Sequence, residues 1–154
     1  MKQATPDDQR PVPAAHHLNN LQTLLGFDFG KKRIGIAVGQ CVTGTATALC
    51  TVAASQGAPD WERLSSLVTE WRPDALVVGL PRHADGTDSA ITRAARKFAQ
   101  QLEGRYRLPV YMMDERLSSR TATTLQQEDR HGKVGLDAIA ARVILQDWLD
   151  TEKT

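Results

Sequence analysis

Near the start of the chain two short apolar runs, LLGFDFG (Leu24 to Gly30) and RIGIAVG (Arg33 to Gly39), are separated only by Lys31 and Lys32. That is hairpin spacing, with glycines closing both runs, and it predicts two antiparallel neighbouring strands. Thr45 to Val52 (TATALCTV) is rich in Thr, Val and Leu in rough alternation and reads as the third strand of the same meander, with SQGAP as the loop after it. At Pro59 and Asp60 the period changes. Trp61, Leu64, Leu67, Val68 and Trp71 recur at three- and four-residue steps until Pro73, which predicts a helix with one apolar face. Ala75 to Leu80 (ALVVGL) is continuously apolar and too short for a helix, as suits a parallel strand covered on both faces. A second amphipathic helix follows from Ile91, Ala94, Ala95, Phe98 and Leu102, with Gly104 as its expected stop. Pro109 leads into the strand VYMMDE, and Ser118 to Gln127 is a weak helix because of its threonines. Ile139, Ala140, Val143, Ile144, Trp148 and Leu149 form the stripe of a final helix beginning just after Asp137.

A meander followed by helix, strand, helix, strand and helices calls for an α/β fold. The expected form is a mixed five-stranded sheet flanked by helices, with the first, fourth and fifth strands parallel. At 154 residues one domain is expected, over residues 23–150, since a chain of this size buries a sufficient single core. Residues 1–22 hold three prolines and little to bury, so they read as an N-terminal arm, and residues 151–154 as a tail. No internal repeat competes with this layout.

Composition narrows the class without naming a partner. With 41% hydrophobic and 24% charged residues the chain is ordinary globular material. Nineteen basic against eighteen acidic side chains leave a net charge of +1, so affinity for nucleic acid must come from a local basic face. Cys41 and Cys50 make no CxxC pair, and His16, His17, His83 and His131 show no zinc-ligand spacing with them. No run suits a signal peptide or membrane span, so a reducing cytoplasm is the expected location, with both thiols serving as buried small hydrophobes.

Asp28 is the first residue out of place. Alternation puts it on one strand face with Leu24, Gly26 and Gly30, and a strand carboxylate needs a partner, a metal or a solvated cleft. The alternative is an Asp that caps the Gly30 to Lys32 reversal. At the end of the fifth strand Asp114 and Glu115 are adjacent, so only one of them shares a face with Asp28, and spacing leaves open which. Asp137 is either the N-cap of the last helix or a third acidic group at the same edge. Three such carboxylates would repel unless cations joined them, and hard oxygen donors select Mg²⁺ or Mn²⁺. Two ions roughly 3.5–4 Å apart would suit phosphodiester hydrolysis. Lys31, Lys32, Arg33, Arg82, Arg116 and Lys133 are the basic residues near these edges, placed to steer a nucleic-acid backbone.

DFGKKRIGIAVG (28–39), VVGLPRHADGT (77–87), DERLSS (114–119) and the late Asp137 followed by VIL together resemble the YqgF/RuvX family over about Leu24 to Leu149. Its members are ribonuclease-H-like proteins regarded as pre-16S rRNA nucleases and similar in fold to Holliday-junction resolvases. The resemblance implies a ribonuclease-H-like sheet, with Asp28, Glu115 and Asp137 as catalytic metal ligands and Asp114 set aside. It also implies a nucleic-acid groove lined by Gly79 to Pro81, Asp85, Gly86 and Arg116 to Ser119. The expected nucleic-acid contacts are therefore Lys32, Arg33, Arg82, Arg116 and Ser118. The implied activity is a metal-dependent hydrolase that processes the 5′ end of pre-16S rRNA. A resolvase of branched DNA and a non-catalytic RNA-binding assembly or transcription factor are the alternatives. An actin-like ATPase would need two lobes, for which the chain is too short.

Overall fold

The computed structural model describes residues 21–55, 58–81, 87–115 and 135–152. Strands β1 (Thr23–Phe29), β2 (Arg33–Gln40) and β3 (Thr45–Ser55) form the antiparallel meander. They are followed by β4 (Ala58–Pro59), α1 (Trp61–Trp71), β5 (Ala75–Leu80), α2 (Ala90–Tyr106), β6 (Val110–Asp114) and α3 (Leu136–Glu152). The sheet order is β4-β3-β2-β1-β5-β6, with β1, β5 and β6 parallel. The five expected strands thus become six, because Ala58–Pro59 pairs with Ala54–Ser55 inside the segment read as a loop. Two residues are too few to leave a period-two signal. The rough alternation of β3 also has a cause. Ile36 lies opposite Cys50 but Ala37 opposite Ala48, so Leu49 is the extra residue of a bulge.

Helix α1 opens after its Asp60 cap and stops before Pro73 as its cues require, whereas α2 and α3 end differently from theirs. Helix α2 opens on a capping box between Ser89 and Thr92 and runs past Gly104 to Tyr106, where Arg107 takes the left-handed conformation at φ 54°. Gly104 faces open space, and Pro109 shortly beyond sets the stop instead. Helix α3 starts at Leu136, with the Gly135 carbonyl accepting from the amides of Ala138 and Ile139. Asp137 is therefore inside the first turn and is not the N-cap. At its other end α3 continues through Glu152, two residues into the expected tail. The weak helix expected over 118–127 lies outside the described residues, as does most of the arm. Leu21 packs on the core, and Gln22 and Thr23 donate their amides to Asp74 at 2.8 and 3.0 Å, tying the start of β1 to that of β5.

The sheet separates two apolar layers as β-strand alternation requires. Leu25, Phe27, Phe29, Ile34, Ile36, Leu76 and Val78 face α1 and α2, where Phe98 packs within 5.6 Å of Phe27 and 5.0 Å of Phe29, ring centre to ring centre. Leu24, Ala37, Ala75 and Val77 face α3 through Ala141, Ile144, Leu145, Trp148 and Leu149. Burying each such large side chain contributes about 1.5–3 kcal/mol, so both layers hold the sheet edge on which the acidic residues sit. Cys41 and Cys50 are free and half-buried rather than fully enclosed. Among the described residues no helix is long and apolar enough to cross a membrane.

Candidate active site

The acidic residues collect where the parallel strands end. Asp28 lies opposite Gly35 on β2, one residue beyond the last β1–β5 pair, Phe27 with Val78. Asp114 closes β6 opposite Leu80, and Glu115 follows immediately. The carboxyl ends of β1, β5 and β6 therefore form one rim, the position at which open α/β sheets build sites. Asp28 is half-buried within its strand, where its carboxyl meets Glu115.

Two glycines create the room. A Cβ on Gly79 of β5 would lie 2.8 Å from Glu115 Oε2 and 2.5 Å from Ile144 Cδ1. The Glu115 carboxyl thus crosses over bare backbone to reach Asp28. On β2 a Cβ at Gly35 would fall 1.7 Å from the carbonyl oxygen of Asp137, so only glycine lets the first turn of α3 press onto the sheet beside Asp28. Leu145, two turns further along α3, sits over Gly26 and Gly39 in the same way. These close approaches escaped the sequence reading. The signal was present, because Gly35, Ala37 and Gly39 alternate with Ile34, Ile36 and Val38, marking one face of β2 as small.

The electrostatics follow from this crowding. Burial, then the charges of Glu115 and Asp137, and then a hydrogen bond with Glu115, push Asp28 up to about 8. Burial raises Glu115 as well, offset in part by its hydrogen bond with Asp28, while Asp114 adds a weaker repulsion. Of the adjacent acidic pair, Glu115 is the one that meets Asp28. Its Oε2 is buried and, among the described residues, has no hydrogen-bond partner. Asp137 contributes its field from the flank while its Oδ2 accepts from Arg33 Nε at 2.8 Å. Among the described residues no three acidic, histidine or cysteine side chains already gather as a metal cage. Two close carboxyls, one with an unsatisfied oxygen, nonetheless suit a hard divalent cation such as Mg²⁺ or Mn²⁺.

Lys31, Lys32 and Arg33 are exposed at the β1–β2 turn beside this rim. Arg82, Arg116 and Ser118, together with Asp85 and Gly86, lie outside the described residues. A groove of about 640 Å³ adjoins the ion pair, lined by Arg33, Leu49, Cys50, Thr51, Gly135, Leu136 and Asp137. It was not anticipated, since it joins β3 to a segment 80 residues away or more.

Stability should fall as pH rises in the absence of cations. An unfolded Asp28 loses its proton near 3.8, whereas the folded one keeps it to about 8, so across that window the folded state binds more protons. Glu115 is shifted in the same direction. Denaturant midpoints in EDTA are expected to be lower at pH 8 than at pH 5, and Mg²⁺ should narrow the gap at pH 8. A midpoint that rises with pH would contradict a strained carboxyl pair.

A family model described as RuvX: Holliday junction resolvase matches residues 22–151. A relative from Pseudomonas fluorescens (strain SBW25), named "Putative pre-16S rRNA nuclease", is 50% identical over 136 residues, covering 84% of this chain and 93% of that protein. A relative of the same name from Hydrogenovibrio crunogenus is 50% identical over 129 residues, covering 82% and 92% respectively. Among solved structures, Thermus thermophilus RuvC in complex with a Holliday junction substrate aligns at a TM-score of 0.52 with 17% identity, over 86% of this chain and 96% of its own. The fowlpox virus resolvase in complex with Holliday junction DNA aligns at 0.54 with 12% identity, over 84% and 98%. At such low identity these structures show the fold alone, and that fold is ribonuclease-H-like. With the match over residues 22–151 and relatives half identical across most of their length, the chain belongs to the RuvX family.

Proposed function

We propose that this chain is a metal-dependent endonuclease that processes the 5′ end of pre-16S rRNA in the cytoplasm, with Asp28, Glu115 and Asp137 as its catalytic acidic residues. The chain is a hydrolase of phosphodiester bonds. The observation that carries the reading is the Asp28–Glu115 carboxyl pair, half-buried at the ends of the parallel strands with one oxygen unsatisfied among the described residues. Asp28 and Glu115 would hold Mg²⁺ or Mn²⁺, with Asp137 beside them. A bound divalent cation lowers the pKa of water and stabilises charge on the phosphate.

The chain's own groups do the rest. Asp28 and Glu115, once ionised, accept the proton that the attacking water sheds or hand it to solvent. Gly79 leaves the space in which Glu115 stays oriented. Lys32 and Arg33 at the exposed turn steer and hold the nucleic-acid backbone, a role we extend to Arg82, Arg116 and Ser118.

The test uses an RNA carrying the 5′ extension of 16S rRNA, incubated with Mg²⁺ or Mn²⁺. Wild-type protein is expected to cut it, and Glu115→Gln to lose at least about 10²-fold in rate. A four-way DNA junction belongs in the same assay, because the matching family model is described by Holliday junction resolution. Cutting of the junction with the RNA left intact would replace the RNA reading by that one. Binding of RNA without turnover, unchanged by Glu115→Gln, would make the protein a non-catalytic RNA-binding factor.

A further inference from the structure

Arg33 stands at the first position of β2 and Asp137 in the first turn of α3, 104 residues apart, yet their side chains meet at 2.8 Å. The guanidinium thus neutralises the flanking carboxylate, while Asp28 and Glu115 are left facing each other and Glu115 Oε2 has no partner among the described residues. Among the described residues, charge compensation at these three carboxyls is uneven. Asp137, bound to a cationic side chain, is the member that stays outside the carboxyl pair.

We propose that Arg33 is a latch on the metal site, occupying Asp137 in the cation-free protein so that Asp137 joins Asp28 and Glu115 around a divalent cation only by leaving Arg33. This rests on the metal-dependent reading above. Three features make the exchange feasible. The backbone of Asp137 is pinned against Gly35, so its carboxylate changes partners by side-chain rotation without a shift of α3. The Arg33 side chain is 62% exposed and that of Asp137 34%, so the latch is an ion pair in contact with water. Such exposed pairs are weak, enough to set a threshold for cation binding and too little to block it. Lastly, the released guanidinium returns to solvent on a flexible stem and leaves no buried charge behind.

The test is a Mn²⁺ titration without nucleic acid, with free Mn²⁺ followed by electron paramagnetic resonance. It compares wild type, Arg33→Gln, Asp137→Asn and the double variant, each checked for folding by circular dichroism. Arg33→Gln is expected to tighten Mn²⁺ binding by about two- to fivefold, the affinity equivalent of an exposed ion pair. Asp137→Asn should weaken binding, and adding Arg33→Gln to it should change nothing further, because the latch has lost its carboxylate. Equal tightening in both backgrounds would mean simple repulsion between Arg33 and the cation, and would overturn the latch. So would unchanged affinity in Arg33→Gln while wild type binds Mn²⁺. If no folded variant, wild type included, binds Mn²⁺, the metal-dependent reading fails and takes the latch with it.

Discussion

Replacing Asp28 by Asn is expected to abolish cleavage while making the cation-free protein more stable. The two effects share one cause. Burial and the neighbouring charges of Glu115 and Asp137 disfavour the ionised Asp28 carboxylate, so near neutral pH the folded protein holds a proton that the unfolded chain would release, at a cost to stability. An amide of the same shape carries no charge, and its NH₂ group is suited to donate to the unsatisfied Glu115 Oε2. The gain should be on the order of 1–2 kcal/mol at pH 7.5 in EDTA, read from the denaturant midpoint. In return the site loses an anionic oxygen donor, and the rate on precursor RNA should drop by at least about 10³-fold, equivalent to roughly 4 kcal/mol. Addition of Mg²⁺ should stabilise wild type and leave the variant unmoved. Undiminished activity in Asp28→Asn would remove this residue from the chemistry. A less stable variant would remove the strain argument.

Gly35→Ala should be the most destabilising single-methyl change in the described structure. The added carbon would stand 1.7 Å from the Asp137 carbonyl oxygen, 2.1 Å from its carbonyl carbon and 2.7 Å from the Ala138 amide nitrogen. All three atoms are backbone, so no side-chain rotation relieves the clash, and the start of α3 must lift off the sheet. That motion would open the layer in which Ile144, Leu145 and Leu149 are almost fully buried, at an expected cost of about 3 kcal/mol or more. Activity should fall too, since α3 carries Asp137. Gly104→Ala is the control. Gly104 lies inside α2 with nothing within 4 Å of a Cβ, so there alanine should stabilise by about 0.5–1 kcal/mol through helix propensity. Urea unfolding of the two variants side by side decides the matter, and a Gly35→Ala protein within 1 kcal/mol of wild type would refute the close approach.

Much of the fold was legible because its signals are local. The 3.6-residue stripes of α1, α2 and α3, the period-two face of β1 and the unbroken apolar run of β5 each reflect how one segment meets one core layer. Features lacking a local signal were missed. The two-residue β4 is held only by its pairing with β3, and the bulge at Leu49 exists only relative to β2. Helix ends shifted for a similar reason. Arg72 and Arg107 take left-handed caps that a sequence reader assigns to glycine, and Gly104 fills a helical position instead. The segments holding Arg82, Arg116 and Ser118 lie outside the described residues, so the groove they were expected to line stays with the proposed function.

For the site, the sequence by itself determined that Asp28 is an oddly placed strand carboxylate and that Asp114, Glu115 and Asp137 are its candidate companions. Residue type and alternation suffice for that. Spacing left Asp114 and Glu115 open and the family resemblance favoured Glu115, but only the tertiary structure shows the bare backbone at Gly79 over which the Glu115 carboxyl crosses to Asp28. The tertiary structure alone also placed Asp137 in the first turn of α3, bound to Arg33. Such choices depend on distances between segments 36 to 104 residues apart along the chain. Alternation along a strand says which way a side chain points, and it cannot say what backbone or charge will be waiting there.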